Sequence, residues 1–166
     1  MQLKSGYTSR GLSWSIDQIQ GKPNTVGPGD ISTAWASASQ DGQREWIVAE
    51  FPRAVDVAKI VVYETHNPGA IDRICSVNFR TRETEIWKGV DPTPSTAAMG
   101  ASMFSFKPGT FTRRIKIFID SPAVPGWNEI DAVALHGKDG SIQWVSDAWA
   151  STSYGDNRPA PRWYWP

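Results

Sequence analysis

The sequence predicts an all-β chain, an antiparallel β-sandwich with one short helical turn near the N-terminus. Three observations carry this. Short runs with period-two alternation of apolar and polar residues recur; Gly, Pro, Asn or Asp bounds each run; and only one stretch has helical character. At 166 residues the chain fits one domain and is long enough to hide roughly two-thirds of the surface its unfolded form exposes.

The helical candidate is Trp14 to Gln20, with Ser13 as N-cap and Gly21 as the stop. Residues 24–32, N-T-V-G-P-G-D-I-S, lack strand character and are placed on a ligand-binding or ion-binding rim. Strands follow at residues 46–51, 57–64, 72–78, 84–88, 103–106, 112–119 and 130–136, with an edge strand at 142–145. Within 112–119, Ile115, Ile117 and Ile119 share one face, and Arg114, Lys116 and Phe118 share the other, so one face is read as core and the other as wet. Residues 52–56, 90–100 and 121–128 are rich in Pro and Gly and are read as loops. Loops of this kind are where a sandwich carries function.

Lys plus Arg equals Asp plus Glu at 17 each, which leaves no basic excess for nucleic acid or an anionic membrane. No apolar run approaches the roughly 20 residues that span a bilayer. Polar residues follow Met1 directly, so a secretion signal is absent or removed. Cys75 is the single cysteine and reads as a buried thiol, since it has no partner for an internal disulfide. Nine Trp exceed ordinary usage and suit binding surfaces as well as cores.

The module is assigned residues 1–145, and 146–166 form a Pro- and Trp-rich tail. S-D-A-W-A-S-T-S from Ser146 matches S-T-A-W-A-S-A-S from Ser32 at six of eight positions. The tail is therefore either the start of a second, truncated module or a segment packed on the first, unless the match is chance.

Four segments carry a family resemblance: T-A-W-A-S at Thr33 to Ser37, W-I-V-A-E-F at Trp46 to Phe51, Y-E-T-H-N-P-G-A at Tyr63 to Ala70, and A-V-P-G-W-N-E-I-D-A-V-A-L-H-G at Ala123 to Gly137. Their order, with Arg113 to Ile117 between, resembles galactose-binding-like modules of the discoidin or coagulation-factor type C kind, in a subgroup with an E-T-x-x-P-G-A signature. The resemblance implies an eight-stranded jelly roll, a rim of ligand-binding loops, often a structural calcium, and an extracellular or cell-surface setting within a multidomain protein. Members bind sugars, lipid head groups or proteins, so membership alone does not choose. The family's acidic calcium loop is replaced by I-Q-G-K at Ile19 to Lys22, which weakens the calcium expectation; Asp30, Glu129 and Asp131 with loop carbonyls are the remaining candidate ligands.

No zinc spacing and no hydrolase or phosphate-loop motif occurs, and Glu129 and Asp131, about 6.5 Å apart on a strand, lack a nucleophilic or basic partner. The expected role is non-catalytic binding of a glycan on rim loops, with a protein-interaction module as the alternative. The candidate contacts are Tyr63, Glu64, His66, Asn67, Arg114, Trp127 and Asn128, an indole platform beside amide and imidazole groups. Residues 64–70 read, in preference to a ligand contact, as a structural turn in which Asn67 is extended before Pro68, Gly69 takes positive φ, and Glu64 or Thr65 ties the loop. Trp35 and Trp46 are assigned mainly to the core.

Overall fold

Alternation becomes eight antiparallel strands in the computed structural model, which describes residues 10–156 and 159–164. The polar start of the chain and Trp165 lie outside these. The strands are β1 (Glu45–His66), β2 (Ile71–Val77), β3 (Glu83–Lys88), β4 (Gly100–Ser105), β5 (Phe111–Ile119), β6 (Glu129–Gly137), β7 (Ile142–Trp144) and β8 (Asp147–Ala150). One layer runs β8-β1-β5-β2-β3 and the other β4-β1-β6-β7. β1 belongs to both. Its first half pairs with β5 and β8, and its second half pairs with β4 and β6.

β1 joins two expected strands that residues 52–56 were to separate. Pro52 lacks an N–H and is tolerated in a strand only at an edge or bulge. Here it falls in the register shift between Glu50 and Val55, where Arg53 N–H donates to Gln143 Oε1 (2.9 Å) and Gln143 Nε2 donates to the Arg53 carbonyl (3.1 Å). A further shift between Val57 and Lys59 switches which residues point inward. Ile47, Ala49, Phe51, Val55 and Val57 are buried before it, and Ile60 and Val62 after it, so both halves face one core. Ile115, Ile117 and Ile119 of β5 complete that core with Ile74, Phe104, Val133 and Leu135.

The outer face of β5 is not wet. Lys116 is 9% exposed, its Nζ donating to Glu83 (2.6 Å) and lying 4.4 Å from the Trp46 ring centre. Val48, Val77, Trp149, Ala160 and Tyr164 form a second apolar cluster there, with Trp46 against it. Residues of the tail thus cover the face that alternation alone leaves open: β8 pairs with β1, and Trp149 meets Tyr164 with ring centres 5.3 Å apart. The two similar segments differ in structure, since Trp35 makes an isolated bridge to Ile130 whereas Trp149 sits within β8. Cys75 is a buried free thiol.

The helical stretch is a 3-10 turn at Ile16–Ile19 that inserts both isoleucines into the core. Ser15, not Ser13, occupies the N-cap and makes no side-chain cap bond. Among the described residues no helix is long and apolar enough to cross a membrane.

Candidate functional site

Three segments remote in sequence meet at the start of β6. Trp35 exchanges backbone hydrogen bonds with Ile130 (2.8 and 3.1 Å), which docks the loop of residues 30–36 on β6. That loop then holds its neighbours: the Trp14 N–H donates to the Ser32 carbonyl (3.0 Å), and the Tyr154 N–H donates to the Ala36 carbonyl (2.8 Å). The Trp35 indole N–H reinforces the second contact by reaching the Thr152 carbonyl (3.1 Å) and Ser153 Oγ (3.0 Å). Trp127, just before β6, is fixed by its indole N–H to the Ser37 carbonyl (3.1 Å).

These segments form an open pocket lined by Trp14, Asp30, Ala36, Trp127, Glu129 and Tyr154. Tyr154 stands nearly perpendicular to both indoles, at 77° to Trp14 with centroids 5.6 Å apart and at 83° to Trp127 with centroids 5.9 Å apart. The rings are therefore walls of one space rather than a stack. Trp14 and Trp127 are half-buried, and Tyr154 is 58% exposed. Trp14 has φ +55°, a left-handed conformation that is costly for a bulky side chain and tends to mark functional sites.

The chemistry at the base is acidic. Glu129 is 1% exposed; its Oε2 accepts the Ile31 N–H at 3.2 Å, and among the described residues Oε1 has no donor within hydrogen-bond geometry. Burial, then the hydrogen bond and charge of Asp30 beside it, push the Glu129 carboxyl up to about 8. The Trp14 indole N–H faces this carboxyl and favours its charged form, opposing the rise.

Asp131, expected alongside Asp30 and Glu129 as a metal ligand, points elsewhere. Its Oδ2 accepts the Asn24 and Thr25 N–H groups (both 3.1 Å) and its Oδ1 accepts from Thr25 Oγ1 (2.8 Å), so it ties the rim loop to β6. Among the described residues no group of three or more Asp, Glu, His or Cys side chains is placed to hold a metal ion.

The expected contact residues divide. Trp127 lines the pocket, and Asn67 and Asn128 lie next to it with their amides engaged: Asn67 Nδ2 donates to the Trp127 carbonyl (3.0 Å), and Asn128 Nδ2 donates to the Asn67 (2.8 Å) and Val124 (3.3 Å) carbonyls. These amides lace two loops together. Asn67 is not extended but left-handed, φ +43°, a conformation asparagine tolerates. His66 is half-exposed at the end of β1, opposite Glu129 in register. Tyr63 packs on Trp144 with centroids 6.0 Å apart, and Arg114 Nε pairs with Glu50 Oε2 at 2.5 Å on β5; neither lines the pocket.

Glu64 is buried in a network of its own. Its Oε1 accepts the Gly69 N–H (3.1 Å) and its Oε2 lies 2.5 Å from Ser102 Oγ, which is also 2.8 Å from Asp91 Oδ1. Asp91 in turn accepts the Ile71 and Thr93 N–H groups (3.0 and 2.9 Å). Gly69 has φ +103°, and a Cβ there would stand 2.8 Å from the Ser95 nitrogen, so the P-G-A turn requires glycine twice over. The signature residues of this turn thus hold β1, β2 and β4 together.

Trp14 and Tyr154 escaped the sequence reading, one taken as a helix start and the other as tail. The surplus of Trp was the available signal, but no spacing links positions 14, 127 and 154. Comparison of the chain with protein-family models, with curated proteins and with solved structures finds no match.

Proposed function

We propose that the protein is a non-catalytic binding module that takes a sugar residue of a glycan into the pocket of Trp14, Trp127 and Tyr154. The observation that carries this is the pairing of three aromatic rings with two carboxyl groups in the lining of one pocket. Sugars present apolar C–H faces that pack on such rings, and hydroxyls that carboxyls bind.

The test is a glycan array followed by calorimetry on the hits with Tyr154→Ala and Trp14→Ala. Loss of at least tenfold in affinity by both variants, with melting temperatures kept, is expected. Absence of any glycan ligand, or unchanged affinity in both variants, refutes the reading.

A further inference from the structure

We propose that the outer face of the β4-β1-β6-β7 layer is a second binding surface, separate from the pocket, that takes an acidic glycan, a chain of sugars bearing carboxylate or sulfate groups. Strand pairing builds this face in rows. Ser105, Lys59, His136 and Ile142 stand side by side across the layer, and Met103, Val61, Ala134 and Trp144 form the next row. Tyr63 follows Val61 on the same face of β1 and packs beside Trp144, with ring centres 6.0 Å apart and planes at 42°. Ile60, Val62, Phe104, Val133 and Leu135 of the same strands point the other way, into the core.

A sheet face turned away from the core is ordinarily polar. Here Met103 and Ile142, at the two edges, are 57% and 55% exposed, and the Tyr63 and Trp144 rings between them are half-buried. The outer face of the other layer is closed by Trp149 and Tyr164 of the tail, whereas these side chains meet solvent. Exposed apolar surface grouped in this way marks a binding surface, and aromatic rings suit the C–H faces of sugars.

Charge selects the kind of sugar. Neither row contains an acidic residue. Lys59 makes no ion pair among the described residues, and its Nζ has the Met103 sulfur 4.0 Å away. His136 stands opposite Lys59; burial, then the Lys59 charge, lower its pKa, with no carboxylate to offset them. The carboxylates beyond the end of the row are already matched, Asp56 with Lys138 (4.0 Å) and Asp139 with Arg53 (3.2 Å). Hydrogen-bonding capacity points the same way. The Lys59 ammonium and the Trp144 indole N–H donate and cannot accept, and neither Trp144 Nε1 nor the Tyr63 hydroxyl is bonded within the described residues. A ligand here brings acceptors and negative charge, which carboxylate or sulfate groups supply in one bond to Lys59. An acidic peptide fits less well. Each of its residues adds a backbone N–H that needs an acceptor, and the rows offer no carboxylate to receive it, whereas sugar hydroxyls accept as readily as they donate.

Calorimetry with four ligands of equal length tests this: galacturonate hexasaccharide, its fully methyl-esterified form, chondroitin sulfate hexasaccharide and a hexaglutamate peptide. At least one of the two acidic saccharides is expected to bind at least tenfold tighter than the ester and the peptide, and their ranking separates carboxylate from sulfate as the anion. Met103→Glu, at an exposed position, sets a negative charge beside Lys59 and is expected to lower that affinity at least tenfold; Lys59→Gln is expected to lower it about fivefold or more, with circular dichroism verifying the fold of each variant. Equal binding of the ester or of the peptide, or binding of neither acidic saccharide, overturns the inference. Affinity that falls in Tyr154→Ala and holds in Met103→Glu moves the acidic glycan to the pocket, which overturns this surface and leaves the saccharide reading of the pocket standing.

Discussion

Replacing Glu64 by Gln tests whether a proton is locked inside the turn that follows β1. Ser102 Oγ lies within hydrogen-bond distance of three oxygens: Glu64 Oε2 (2.5 Å), Asp91 Oδ1 (2.8 Å) and Thr93 Oγ1 (2.6 Å). A hydroxyl donates one proton, so Ser102 serves one carboxylate and the other contact needs a proton of its own. Burial, then the Asp91 charge, place that proton on Glu64 by raising its carboxyl from 4.5 to about 8. The native state therefore holds a proton that the unfolded chain releases near pH 4.5. Its stabilising effect is fully present below that pH, falls as pH rises, and is lost above about 8. One proton gives a slope of at most about 1.4 kcal/mol per pH unit, or about 3 kcal/mol between pH 6 and pH 8. In Glu64→Gln the amide oxygen keeps the Gly69 N–H and the amide nitrogen donates to Ser102, freeing Ser102 to donate to Asp91. Urea unfolding from pH 6 to pH 9 should show the variant close to the parent at pH 6 and more stable by about 1 kcal/mol or more at pH 9, with a flatter profile. Parallel profiles, or a variant weaker at every pH, would refute the shared proton.

Glu129→Gln should flatten the same profile independently, because this carboxyl too is raised to about 8 by burial and Asp30; fitted proton uptake on folding should fall by up to one. Asp131→Ala strands the Asn24 and Thr25 donors and should lower stability by about 3 kcal/mol in urea unfolding, whereas Asp131→Asn should recover part of it. Deleting residues 147–166 removes β8 and Tyr164 and uncovers Val48 and Lys116; a loss of about 5 kcal/mol is expected from the large side chains released, read as a lower melting temperature. Gly155→Ala places a Cβ against the Ser13 carbonyl and should cost about 1–3 kcal/mol while weakening glycan binding through the displaced Tyr154; unchanged affinity would detach this contact from the pocket.

The strands were legible because alternation reports which face is buried, and it does so locally: Ile115, Ile117 and Ile119 point inward as their spacing predicts. Where the burying partner is distant the pattern is silent. Lys116 reads as exposed from its own strand, and only Tyr164 and Trp46, far along the chain in both directions, show why it is covered. Pro52 reads as a stop since the register shift that excuses it depends on β5 and Gln143. The candidate site shows the same division. Trp127 lies in a segment with visible character, whereas Trp14 and Tyr154 reach the pocket through backbone bonds to Ser32 and Ala36 that no side-chain pattern encodes. Glu64 looked like a ligand contact because its turn is polar and loop-like, yet the carboxyl points inward to satisfy Gly69 and Ser102.

A strand of 22 residues that belongs to two layers changes how the molecule comes apart. In a sandwich whose layers share no strand, either layer can in principle open against the other along their apolar seam. Here the backbone of β1 is itself the hinge pin. Prying the layers apart tears hydrogen bonds to β5 and β8 at one end or to β4 and β6 at the other. Amides near Ile47 and near Val62 are thus expected to exchange with solvent through the same rare opening, with similar free energies, as one cooperative unit. The pocket, hung on the far end of that strand through His66 and Glu129, inherits the stiffness of the whole sandwich.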